Sequence, residues 1–169
     1  MGRVGILEPS TRVELLDGEV VEMAPIGPAH AAGVNCVARA FSRAVGDRAV
    51  VAVQNPVVLT NWTEPQPDVT LLRVRSDGYR LSHPTPDDVF LAVEVADTTL
   101  FTDRNRKIPL YAAAGVREVW LVDVNAGTIE VLRDPAPEGY RHQQTAARGA
   151  RVACLAFPDI EVAVTDIVG

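Results

Sequence analysis

Fifteen arginines and one lysine supply the basic side chains of this 169-residue chain, and the lysine, Lys107, lies in the run Asp103-Arg104-Asn105-Arg106-Lys107. An ammonium is a compact point charge with a movable pKa, whereas a guanidinium is a planar fork that stays protonated. A lone lysine in a chain that otherwise writes Arg marks a task suited to a point charge. Glu94 is equally out of place. It stands inside Phe90-Leu91-Ala92-Val93-Glu94-Val95-Ala96, where a charge must be paired, hydrogen-bonded, metal-bound or neutralised. Period-two alternation puts Phe90, Ala92, Glu94 and Ala96 on one face, and the two alanines leave space beside the carboxylate. Asp68 follows Pro65-Gln66-Pro67 and opens a further apolar run.

Two carboxylates on neighbouring strands are a usual way to hold Mg²⁺, which keeps positions for water and phosphate oxygens. Lys107 could then face an attacking water or the charge that grows on a phosphate. Each residue also has a plainer reading. Asp68 suits a turn after proline, Glu94 could pair with an arginine, and Lys107 could pair with Asp103 at i,i+4. Glu19, His30 and Gln54 are candidate cleft positions, each with an ordinary role as an edge or packing residue.

These side chains need elements to position them. Val13–Leu16 and Val20–Met23 flank Asp17-Gly18, a hairpin signal. Val34, Val37, Ala38, Phe41, Ala44 and Val45 recur at helical spacing, with Gly46 as the stop. Short β runs are expected at 50–53, 57–60 and 69–74, then a polar loop over 75–88. The run 89–96 reads as a central strand buried on both faces. A helix is expected over about 103–114, with Pro109 as a source of distortion. Strands follow at 117–124, 128–133, 140–145 and 160–164. The order predicts a mixed α/β or α+β fold, one domain over 1–169.

A net charge of −6 argues against a non-specific nucleic-acid binder with a broadly basic surface. Arg104, Arg106 and Lys107 form one local basic cluster, and Arg73, Arg75 and Arg80 another. No apolar run approaches a membrane span, and the N-terminal residues lack the apolar stretch of a signal peptide. Two cysteines make no disulfide framework, and Cys36 is expected to be a buried thiol. A cytoplasmic protein without membrane partners is the expectation.

Pro67-Asp68, Glu94 in an apolar strand, and Asp103-x-x-x-Lys107-x-x-x-Tyr111-x-x-x-Gly115-Val116-x-Glu118-x-Trp120-x-Val122-Asp123 together resemble the Uma-two family of restriction-endonuclease-like proteins, within the PD-(D/E)XK nuclease superfamily. Glu14-Leu15-Leu16-Asp17-Gly18-Glu19 and His30 are similar to the family pattern as well. The likeness runs over roughly residues 12 to 165. It implies a mixed sheet flanked by helices and a metal-dependent endonuclease acting on DNA with Mg²⁺ or Mn²⁺. By position it makes Asp68 and Glu94 catalytic metal ligands, the carbonyl of Val95 a third ligand, and Lys107 the group that assists water. The superfamily lysine lies two residues after the glutamate, where this chain has Ala96, so the family pattern moves it onto the next helix. Where the family often has Leu-Ser-Pro-Ser-Thr, this chain has Ala96-Asp97-Thr98-Thr99. A homodimer is expected by analogy with nucleases that cut both strands. Two other readings stand beside this one: a non-catalytic module that binds nucleic acid or protein on the same fold, and a metal-dependent hydrolase of another phosphate ester.

Overall fold

A computed structural model describes residues 12–169. Strands β1 (Val13–Leu16) and β2 (Glu19–Glu22) form a hairpin in which Glu14 pairs with Val21 and Leu16 with Glu19. Its turn residues Asp17 and Gly18 both have positive φ, 52° and 82°, as the tight hairpin turn demands. Helix α1 (Pro28–Val45) starts with proline in its first turn, where a missing N–H costs nothing.

A six-stranded sheet then follows: β3 (Val50–Val53), β4 (Val69–Leu72), β5 (Val89–Ala96), β6 (Glu118–Asp123), β7 (Thr128–Ala136) and β8 (Gly139–Ala147), in that spatial order. All its neighbours are antiparallel except β5 and β6. A parallel pair needs a crossover rather than a tight turn. Here the crossover is helical: α2 (Leu100–Thr102), a π-helical turn (Asp103–Lys107) and α3 (Ile108–Ala113). The hairpin β9 (Arg151–Cys154) and β10 (Phe157–Ala163) and the short α4 (Val164–Val168) complete the chain.

The sheet separates two apolar layers. Val34, Val37, Phe41 and Val45 of α1 pack on Leu91, Val93, Val95 and Trp120. Ile108, Tyr111 and Ala112 of α3 pack on the opposite face with Ala92, Val119 and Leu132. Helix α1 lies so close to β5 that a Cβ on Gly33 would meet Val95 Cγ1 at 2.8 Å. This close approach seats the start of α1 over the end of β5.

The expected strands at 50–53, 89–96, 117–124 and 128–133 are present, the last extended to Ala136. Four expectations change. Residues 57–60 form no strand; Val57 and Leu59 bond instead to the carbonyls of Pro65 and Thr63 and bury their side chains. Phe90 does not share a face with Ala92 and Glu94. The β4–β5 register shifts between Leu71 and Leu72, and Phe90 packs edge-on against Phe157 in the α1 layer. Cys36 is only half-buried, at the flank of α1 beside Arg39, whereas Cys154 is the buried thiol. The second helix begins at Leu100 rather than near 103 and contains the π turn. Pro109 has no N–H for the carbonyl of residue 105, and its ring would crowd that carbonyl in a regular helix. Widening the turn relieves the conflict, and Ile108 N–H bonds to the Asp103 carbonyl five residues back. Among the described residues, no helix is long and apolar enough to cross a membrane.

Candidate active site

The end of β5, the start of β4, the hairpin and the helical crossover meet around a cleft of about 240 Å³. Val69 pairs with Val93, so one further step along the ladder sets Asp68 opposite Glu94. Asp68 Oδ2 accepts the Val95 N–H at 2.9 Å. Its Oδ1 meets His30 Nε2 at 3.0 Å and accepts from Gln54 Nε2 at 3.2 Å. The π turn and α3 carry Asp103, Lys107 and Tyr111 at four-residue intervals over the face of the sheet that presents Glu94. Lys107 Nζ donates to Glu94 Oε2 at 3.2 Å, and Tyr111 Oη donates to Glu94 Oε1 at 2.6 Å.

Two further carboxylates close in on the ammonium. Glu14 Oε1 lies 2.9 Å from Lys107 Nζ and Asp103 Oδ1 lies 3.7 Å away. Glu14 Oε1 also accepts the Gln66 N–H at 2.7 Å, and Thr99 Oγ1 holds Asp103 Oδ2 at 2.6 Å. Glu14 went unselected in the sequence, where Glu19 was the hairpin candidate. The signal for it was period two, which places Glu14 on the face of buried Leu16. Glu19 is instead an exposed residue paired with Arg106 at 2.7 Å.

Glu14, Asp68, Glu94 and Asp103 are all buried, and Lys107 is only 7% exposed. Four carboxylates thus face one ammonium and one imidazole, an excess of negative charge with little water to screen it. Burial raises Glu94 well above the ordinary carboxylate range, and Asp103, Asp68 and Glu14 push it further against the pull of Lys107. Burial and the neighbouring acids raise Asp103 in the same direction. Burial works against the charge on Lys107, but Glu94, Glu14 and Asp103 outweigh it and raise its pKa, so it stays an ammonium. The hydrogen bond to Asp68 raises His30 above its usual value, with the backbone of Val95 adding to the effect.

Several other basic residues have structural partners. Arg104 pairs with Glu130 at 2.8 Å, Arg73 lies over the Phe90 ring, and Arg75 over Tyr79. Asp123 caps the β6–β7 turn by accepting from Asn125 and Ala126 N–H groups.

A hard divalent cation fits the donor set. The buried negative excess calls for positive charge, and Asp68 and Glu94 offer carboxylate oxygens from facing strands. No cluster of three or more His, Cys, Asp or Glu side chains with metal-holding geometry occurs among the described residues. His30 holds Asp68, one of the groups that the resemblance assigns to a metal.

A family model described as "Putative restriction endonuclease", Uma2, matches residues 4–165. The chain belongs to the Uma2 family. Comparison with curated proteins gives no match. Among solved structures, this Uma2 chain is similar to a "putative nuclease belonging to DUF820" from Anabaena variabilis ATCC 29413, with a TM-score of 0.76 and 15% identity. The alignment covers 98% of this chain and 94% of that one. At that identity the likeness shows the fold: a mixed sheet flanked by helices behind an N-terminal hairpin.

Proposed function

We propose that this chain is a metal-dependent nuclease that hydrolyses DNA phosphodiesters. The observation that carries the reading is the contact of the one lysine with the one glutamate inside the central strand, in a cleft with unbalanced negative charge. Asp68, Glu94 and the Val95 carbonyl are the residues that would hold Mg²⁺ or Mn²⁺. When bound, such an ion polarises the phosphate and lowers the pKa of water. Asp68 keeps its orientation through Val95 N–H, His30 and Gln54. Lys107, fixed as a cation by its acidic neighbours, does not accept the proton; it orients the nucleophile and offsets charge developing on the phosphate. Glu14 and Asp103 hold the ammonium in place.

The family description supports a nuclease. The acidic cleft agrees with a cation between protein and phosphate, since bare carboxylates would repel a DNA backbone. The test is nicking of supercoiled plasmid in Mg²⁺ or Mn²⁺ against the same reaction in EDTA. Metal-dependent nicking supports the reading. DNA left intact while a simple phosphate ester is cleaved would point to another phosphoesterase, and inertness towards both would point to a non-catalytic binding module.

A further inference from the structure

The hydroxyl of Tyr111 is buried, in a ring held by the α3 layer. Ile108, Ala112, Val116 and Val119 belong to the same apolar cluster as that ring, which is 0% exposed. The hydroxyl alone leaves this layer and reaches Glu94 Oε1 at 2.6 Å. The other carboxylate oxygen, Oε2, takes Lys107 at 3.2 Å. Each oxygen of Glu94 therefore has its own partner, and the two partners come from successive turns of one helical segment.

We infer that Tyr111 is a positioning residue for the metal site: its hydroxyl holds Glu94 Oε1 and so sets the orientation of the carboxylate that would help to hold a divalent cation. The inference rests on the proposed metal-dependent reading. A carboxylate anchored through one oxygen by a rigid phenol has a single orientation, whereas a free one must lose rotational freedom when it binds a cation. Partners of this kind, which touch the ligand rather than the metal, typically change metal affinity by about 10- to 100-fold. Burial raises the Tyr111 hydroxyl well above its ordinary pKa, and the Glu94 charge adds to this, so it remains a donor throughout the working range.

The experiment is Mn²⁺ titration into metal-free protein, read by the paramagnetic resonance of free Mn²⁺, for wild type, Tyr111→Phe and Glu94→Gln. Phenylalanine keeps the ring and its packing and removes one oxygen. The expected result is Mn²⁺ affinity weakened about 10- to 100-fold in Tyr111→Phe and lost in Glu94→Gln. Wild-type affinity in a folded Tyr111→Phe protein would overturn the positioning role and leave the metal site standing. A wild type that fails to bind Mn²⁺ would overturn both. A second readout needs no variant: with ¹³C at the tyrosine Cζ of wild-type protein, Mg²⁺ should shift the resonance of the buried, Glu94-bonded ring and leave exposed-ring signals in place. An unshifted buried resonance at saturating Mg²⁺ would also overturn the inference.

Discussion

Lys107 Nζ lies 3.2 Å from Glu94 Oε2, although the two residues are 13 positions apart in the chain. The strand places the glutamate, the helical crossover places the lysine, and the parallel pairing of β5 with β6 requires that crossover to pass over the sheet. The one lysine thus reaches the strand glutamate from the helical segment packed on the sheet.

Lys107→Arg should be nearly as damaging as Lys107→Ala. The ammonium occupies a buried niche between Glu14, Glu94 and Asp103. A guanidinium is larger and planar and cannot direct a point charge from the same place. Plasmid-nicking rates should fall on the order of 100-fold or more in both variants, the scale for losing one preorganised stabilising group. Arginine supporting near-wild-type nicking would show that any positive charge suffices.

Glu94 makes the metal-free protein sensitive to pH. Its folded-state pKa is raised above the unfolded value, so its contribution to stability is fully present below about pH 4.5 and is lost as pH rises through the folded pKa. Glu94→Gln removes that titration. In EDTA, the Tm of wild type relative to Glu94→Gln should fall as pH rises above about 4.5. Mn²⁺ competes with the proton, so its stabilising effect on wild type should grow over the same range. A Tm difference that stays flat with pH would remove the claim that Glu94 is held in an excess of negative charge.

Glu118 is a buried carboxylate with a structural task. Its Oε1 accepts from Trp120 Nε1 and from Arg133, and its Oε2 accepts from Leu155 N at 2.7 Å and faces Cys154 Sγ at 3.5 Å. It joins β6 and β7 to the β9–β10 hairpin. Glu118→Ala should cost about 3 kcal/mol in urea unfolding, the low end for breaking a buried ion pair because Arg133 still reaches water. Mn²⁺ affinity should not change. A stability loss under about 1 kcal/mol would place the pair among ordinary surface contacts.

Burial pushes the Cys154 thiol up to about 12, with Glu118 adding to the effect. Cys36 is half-buried. A thiol reagent at pH 8 should modify one cysteine in the native protein and two in denaturant, with mass spectrometry locating the first at Cys36. Rapid native labelling of Cys154 would contradict the packing of the β9–β10 hairpin against β6.

The sequence carried Glu94 and Lys107 openly, because each breaks a local rule: a charge in an apolar strand, and a lysine among arginines. The central strands were legible for the same kind of reason, since continuous apolar runs have few other places to go. Glu14 was hidden because an acidic residue in a short hairpin is ordinary until tertiary packing closes over it. Phe90 misled because alternation holds only while register holds, and a bulge is set by the partner strand. The π turn had its trace in Pro109, which signalled distortion without its form. Strand β9 is four residues long and turns through Leu155-Ala156, with no glycine or asparagine to mark it.

The most direct test of the central claim is cleavage of supercoiled plasmid and of single-stranded DNA in Mg²⁺ or Mn²⁺, with wild type beside Glu94→Ala and Lys107→Ala. The structure predicts cutting by wild type that stops in EDTA and vanishes in both variants while their folds persist by circular dichroism. Cutting that survives both substitutions, or a folded, Mn²⁺-loaded wild type that leaves both DNAs intact, would contradict it.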